Sequence, residues 1–141
     1  MTRSRTIFKV IGLSTVLWSL QVAAAAKLSD SEIRQHMIGS WIIPTNSSDY
    51  QPMMAKVVET YYADGSETLL FFLDRDCKTV FQTLKAKWSV TGGVLITTTP
   101  DGQADRDDIL DITGQKMTLH SQRDGTNYTR VRATNCGNIG I

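Results

Sequence analysis

Hydrophobic and polar residues alternate most regularly between Thr83 and Thr99. On the first arm of this stretch every second residue is apolar, namely Leu84, Ala86, Trp88 and Val90. The apolar run resumes at residues 94–97, after the pair Gly92–Gly93. Period-two alternation indicates a strand with one buried and one solvated face. Since a Gly-Gly pair supplies the positive φ angles of a tight turn, the pattern predicts a β-hairpin.

The rest of the chain predicts one short helix and further strands. Ser29–Ile38 is expected to be helical, because Ser29 and Glu32 have capping-box spacing and Gly39 is placed to end the helix. Strands are predicted at residues 40–43, 54–62, 68–73, 105–112, 116–121 and 126–132, separated by turn residues. With the two arms of the hairpin, this gives about eight short strands at the regular spacing typical of barrels and sandwiches.

A closed barrel fits these strands better than a sandwich, which is the alternative. Hairpins join most neighbouring strands and need no Greek-key crossover, and closure removes the two exposed edges of the sheet. We therefore predict an all-β fold, an eight-stranded antiparallel up-and-down barrel with a short N-terminal helix. On the strand at 54–62, the charge of Glu59 indicates that the Val58 face points inward.

The first 26 residues have the layout of a secretory signal peptide. Arg3, Arg5 and Lys9 give a basic start, residues 10–20 are mostly apolar, and residues 22–26 are small. The apolar run is shorter than the roughly 20 residues of a membrane-spanning helix. We expect cleavage after Ala26, with Ala24 or Ala25 as alternative positions, leaving residues 27–141 as one secreted or periplasmic domain. A buried N-terminal helix is the alternative to a signal peptide.

Cys77 and Cys136 are the two cysteines of the chain. In an exported protein a single pair is more often bridged than free, and neither cysteine has the C-x-x-C partner of redox or zinc sites. We expect a structural disulfide, with two free thiols as the alternative. The strand order places the two cysteines at opposite ends of the barrel, so the tail would have to climb the barrel wall.

Charge and motifs exclude several classes of function. Without its leader the chain carries 12 basic and 14 acidic residues and has no basic stripe with interleaved aromatics, so nucleic acid is not an expected partner. His36 and His120 lie in segments that need not meet, and the common hydrolase, metalloprotease and phosphate-binding motifs are absent. The aspartates between residues 101 and 108 lack EF-hand spacing. We expect no enzyme activity, metal or cofactor.

The order of these features resembles a small lipocalin-like domain. Gly39-Ser40-Trp41 matches the G-x-W signature at the start of the family's first strand. Arg130 resembles the closing-strand Arg that packs across that Trp at the closed end, although Arg132 shares its face. Three further segments are similar to secreted lipocalin-like domains: T-Y-Y-A-D-G at 60–65, W-S-V-T-G-G-V-L at 88–95 and I-L-D-I-T-G at 109–114. The resemblance covers nearly all of residues 27–141, but the family's helix after the last strand is absent.

The resemblance implies a binding protein that holds a small ligand in its barrel. By strand parity the candidate lining residues are Tyr62, Phe72, Leu84 and Trp88. Few positions expected to point inward carry charge, so the expected ligand is small and mainly apolar. The alternative is a protein-interaction module, such as a secreted or periplasmic protease inhibitor or an accessory protein of envelope assembly.

Overall fold

The computed structural model describes residues 27–136, which form a closed barrel with one helix. The helix α1 is Asp30–Met37. The strands are β1 (Gly39–Ile42), β2 (Lys56–Tyr61), β3 (Ser66–Phe72), β4 (Val80–Thr91), β5 (Val94–Thr98), β6 (Ala104–Ile112), β7 (Lys116–Ser121) and β8 (Asn127–Arg132). Each strand pairs antiparallel with the next, and β8 pairs with β1. The predicted fold class is confirmed.

Two parts of the sequence lie outside the described residues: the proposed signal peptide, residues 1–26, and the last five residues. Among residues 27–136, no helix has the length and apolar character needed to cross a membrane.

The helix α1 begins and ends as its sequence predicts. The Ser29 hydroxyl accepts a hydrogen bond from the Glu32 N–H, and the Glu32 carboxylate accepts one from the Ser29 N–H, which completes the capping box. The Asp30 carboxylate accepts bonds of 2.7 and 2.8 Å from the N–H groups of Gly92 and Gly93. The helix is therefore fastened across the β4–β5 turn, and its buried residues cover that end of the barrel.

Arg132, and not Arg130, packs across Trp41 at this closed end. The Arg132 guanidinium lies 3.8 Å from the centre of the fully buried indole ring. The expected pairing of Arg130 with Trp41 is wrong, because the β1–β8 register sets Trp41 directly opposite Arg132. Arg130 lies two residues further into the barrel, where it binds Glu59.

The inward face of β2 is the reverse of the predicted one. Glu59 lines the interior, whereas Val58 belongs to a separate apolar cluster with Leu70 and Phe72. The charge on Glu59 did not mark a solvated face because Arg130 neutralises it inside the barrel. Val58 is nevertheless fully buried, because the two half-cystines cover this outer face.

The predicted disulfide joins Cys77 to Cys136, whose Cα atoms are 5.8 Å apart. After β8 the chain crosses the outer side of the barrel, where the Ala133 N–H donates to the Ser40 carbonyl. The Lys56 ammonium then donates to the carbonyl of Arg75 and to the side chain of Asn135, which joins the tail to the β3–β4 loop. The segment after β8 therefore runs along the outside of the barrel to the β3–β4 loop, where Cys136 reaches Cys77.

We expect Arg132→Lys to destabilise the barrel by about 1–3 kcal/mol, because an ammonium cannot stack on the indole while filling the guanidinium's several hydrogen bonds. Urea unfolding followed by tryptophan fluorescence measures the change. The same replacement at the exposed Arg106 is the matched control and should stay within about 0.5 kcal/mol of the unsubstituted protein. Equal stability of the two variants would contradict the role given to Arg132.

Candidate functional site

The open end of the barrel contains a cavity of about 360 Å³. Below it, the interior is filled by an apolar cluster that includes Trp41, Trp88 and Met117 and reaches the helix. The cavity is lined by residues of strands β2 to β8 and by Asp49 from the β1–β2 loop. Its volume lies within the range of roughly 300–1,000 Å³ that small-molecule sites occupy.

One half of the lining is charged and is organised by Arg130, of which 4% is exposed. Its Nε donates to Glu59 Oε2 at 2.7 Å, and its Nη2 lies 2.6 Å from Asp49 Oδ2. Burial lowers the pKa of Arg130, but Glu59 and Asp49 outweigh this effect and hold the pKa above its usual value. Arg130 therefore stays a cation, fully engaged by two carboxylates.

Asp107 and Tyr128 extend this charged half. Burial raises the pKa of Asp107, although a hydrogen bond from the Tyr128 hydroxyl partly opposes the shift. Burial, followed by the charge of Asp107, raises the pKa of Tyr128, so its hydroxyl keeps its proton. The Tyr128 ring also stacks under the Arg130 guanidinium at 4.5 Å. This part of the site can therefore offer a hydrogen-bonded carboxyl and an aromatic surface.

Glu67 is the most isolated acid of the cavity. It is 2% exposed, and its Oε2 has no hydrogen-bond partner among the residues that the structure describes. Burial and then the charge of Glu59 raise its pKa to about 8. At neutral pH the group is therefore mostly a neutral carboxylic acid with a free acceptor oxygen.

The other half of the lining is apolar. It consists of Leu69 on β3, Leu84 and Ala86 on β4, and Leu95 on β5. In the ring order β4 lies across the barrel from β8, so this apolar wall faces Arg130 and Tyr128. The cavity therefore combines an apolar side with a charged side, as an amphiphilic small molecule requires.

Of the four residues predicted to line the interior, Leu84 lines this cavity. Trp88 points inward but is buried at the closed end, where it packs against the Tyr61 ring and beneath the Arg34 guanidinium. Tyr62 is 41% exposed, and Phe72 is buried in the outer cluster. Tyr62 directly follows β2, and Phe72 pairs with Lys56 of that strand, so both lie on the face of β2 that was wrongly predicted to point inward.

Sequence reasoning missed the acids of the interior. Glu59, Glu67 and Asp107 all line the cavity, so the premise that few inward positions carry charge is wrong. One available signal was the hairpin turn after Tyr61, which sets Tyr61 opposite Glu67 and so puts Glu67 on the face of Glu59. Within residues 27–136, no three or more His, Cys, Asp or Glu side chains are grouped so that they could hold a metal ion.

We expect Glu67→Gln to stabilise the protein at high pH and to leave its stability at low pH nearly unchanged. Because the pKa of Glu67 is near 8 in the folded state and about 4.5 in the unfolded state, the folded state holds a proton that the unfolded state has lost. The contribution of Glu67 to stability is therefore complete below pH 4.5 and is lost as the pH rises to 8.

The free energy of unfolding in urea, measured from pH 4.5 to pH 9, tests this expectation. The curves of the variant and the unsubstituted protein should diverge by a few kcal/mol at the upper end. Asp111→Asn removes an exposed carboxylate and should give a curve parallel to that of the unsubstituted protein. A parallel curve for Glu67→Gln would show that Glu67 titrates normally.

No protein-family model, curated protein or solved structure matches this chain. Its eight-stranded closed barrel is compatible with the lipocalin-like architecture.

Proposed function

We propose that the protein is a lipocalin-like binding protein that holds one small molecule in its barrel. The observation that carries this proposal is the cavity of about 360 Å³ between an apolar wall and a set of buried charges. The G-x-W residues at β1, with an Arg stacked on their Trp, give additional support. Buried charges are expensive to maintain and are over-represented at functional sites, so their presence around a cavity favours ligand binding over a purely structural barrel.

The polar half of the cavity argues against a purely apolar ligand. A hydrocarbon placed against this half would leave Glu67 Oε2 without a hydrogen-bond partner, at a cost of about 1–3 kcal/mol for the unsatisfied group. The proposed ligand therefore has a polar end that hydrogen-bonds to the acids and an apolar body against Leu84 and Leu95. The leader-like residues 1–26 and the disulfide support a secreted or periplasmic location.

Ala86→Trp should abolish ligand binding, because an indole at this inward position fills space that the ligand would occupy. Lys87→Trp is the matched control, since its exposed neighbour on β4 carries the same new side chain outside the barrel. Small molecules that remain bound through native purification are identified by mass spectrometry after denaturation, and a fragment library is screened by thermal shift.

We expect ligands and fragment hits with the unsubstituted protein and with Lys87→Trp, and none with Ala86→Trp. The absence of any hit, or hits that survive Ala86→Trp, would refute binding in the barrel.

One observation favours the alternative, a protein-interaction module. Residues 80–86 of β4 pair with β3 alone, because the register with β5 covers only residues 87–91. Since the Trp88 N–H donates to Gly65 on the β3 side, strand alternation directs the N–H and C=O of Lys85 and Thr83 to the unpaired side. A free edge of this kind accepts an extended peptide as an added strand. Because Lys85 and Lys87 flank it, the segment it accepts should carry acidic side chains.

Thr83→Pro tests this alternative, because proline removes an edge donor while the β3 pairing uses the neighbouring residues. The probe is a fluorescent seven-residue peptide of alternating Val and Glu, and the control is the same peptide with N-methylated amides. Strand addition requires that the probe bind the unsubstituted protein and lose at least tenfold in affinity with Thr83→Pro. Equal binding of the N-methylated peptide, or no binding of either, would exclude it.

A further inference from the structure

We propose that the ligand of the barrel carries a basic nitrogen and that the carboxylate of Glu67 is its counter-ion. This inference rests on the proposed function, because it names the chemical class of the molecule bound in the same cavity.

The position of Glu67 is the first observation behind this proposal. In the β-sheet register, Glu67 lies between Tyr61 on β2 and Ala86 on β4. Its side chain is buried and yet lines the cavity, and its Oε2 has no partner among residues 27–136. A buried carboxyl oxygen without a donor is destabilising, so a ligand that brings a donor to this point removes the penalty.

The charges around Glu67 decide what kind of donor fits. Acids face it from two strands, Glu59 on β2 and Asp107 on β6, and Tyr61 adds a neutral phenol. From β8 come Arg130 and Tyr128, and from β5 the uncharged Thr97, which hydrogen-bonds to Glu67. β4 contributes Ala86 on this face, while Lys85 is exposed on the next position of the strand.

This inner set is short of positive charge. Its buried cation, Arg130, is held by Glu59 and Asp49. The other cations of the lining are exposed: Arg123, which pairs with Asp105 of β6, and Lys85. No buried cation of the lining is therefore left for Glu67 or Asp107. A carboxylate ligand would meet three acids at close range and be repelled, and a hydroxyl would satisfy one acceptor without supplying charge. An ammonium provides three donors and the missing charge, so it fits best.

The surroundings of Glu67 also define the rest of the molecule. Leu69 and Leu84 lie two positions from Glu67 and Ala86 on the same two strands, β3 and β4, and Leu95 continues the apolar surface on β5. A nitrogen at Glu67 therefore places the attached group against hydrocarbon. The fitting class is a small arylalkyl or alkyl amine.

The protonation state of Glu67 gives this proposal a measurable signature. In the empty protein, burial and Glu59 keep its pKa at about 8, so the group is neutral at pH 7. An ammonium stabilises the ionised form, so the carboxyl O–H bond breaks and the proton passes to solvent as the ion pair forms. Affinity should then rise toward tenfold per pH unit between pH 6 and pH 8, with close to one proton released per ligand at pH 6.

Three probes of similar size and different polar ends test the class: 2-phenylethylamine, 2-phenylethanol and phenylacetate. Titration calorimetry in two buffers of different ionisation enthalpy gives both affinity and proton release. We expect the amine to bind at least tenfold more tightly than the alcohol at pH 8 and to release protons as stated, and we expect no binding of phenylacetate.

Glu67→Gln should weaken amine binding at pH 8 by at least tenfold, abolish proton release and leave binding of the alcohol within about threefold. Gln closely imitates the neutral acid present at pH 7, so the variant should fold. Asp111→Asn removes an exposed carboxylate of the same charge and should change none of these values.

The outcomes separate this inference from the function on which it rests. If the alcohol or the acid binds better than the amine, and Ala86→Trp removes that binding, the barrel is a ligand site and the basic nitrogen is wrong. Amine binding that keeps its affinity in Glu67→Gln, or that releases no proton, refutes Glu67 as the counter-ion. If no probe binds, the inference fails, and the fragment screen with Ala86→Trp decides the proposed function independently.

Discussion

The arrangement of the whole barrel depends on the contact between Arg132 and Trp41. The guanidinium stacks on the indole and donates hydrogen bonds to the carbonyls of His36 and Ile38 at the end of α1, and to Gly114 in the β6–β7 turn. One side chain thus connects the helix, the first and last strands and a distant turn. The contact also explains the glycine of G-x-W: a Cβ at Gly39, whose φ is +115°, would lie 2.8 Å from an Arg132 nitrogen. With this end sealed and filled, open space in the interior is left at the other end.

Arg130 and Arg132 lie on the same face of β8 but have different roles. Arg132 is a structural cation whose partners are a ring and backbone carbonyls, whereas Arg130 neutralises Glu59 and Asp49 inside the cavity. Because Arg130 is fully used in this way, the buried acids Glu67 and Asp107 have no buried cation of their own in the cavity lining. The acidic character of the cavity therefore follows from how its single buried guanidinium is shared, and this imbalance is the basis for the basic ligand proposed above.

The sequence predicted what local patterns determine and missed what distant contacts determine. Capping residues placed α1, and alternation around Gly92–Gly93 placed the β4–β5 hairpin. The inward face of β2 was misjudged because a lone Glu59 indicates solvent, and its partner Arg130 lies 71 positions away. Choosing Arg130 over Arg132 failed for a similar reason, since only the β1–β8 register decides between them. Phe72 was assigned to the interior because no local signal indicates that the tail buries the outer surface.

Closure by β8 against β1 has a consequence for how the chain acquires its structure. The partner of Trp41 is Arg132, 91 positions later in the chain, and the partner of Cys77 is Cys136, 59 positions later. While the polypeptide is still being synthesised, β1 to β7 can form only an open sheet with a bare edge on each side, a state prone to association with other chains. Non-local pairing of this kind slows folding. The strand β8 therefore decides when the edge of β1 becomes protected.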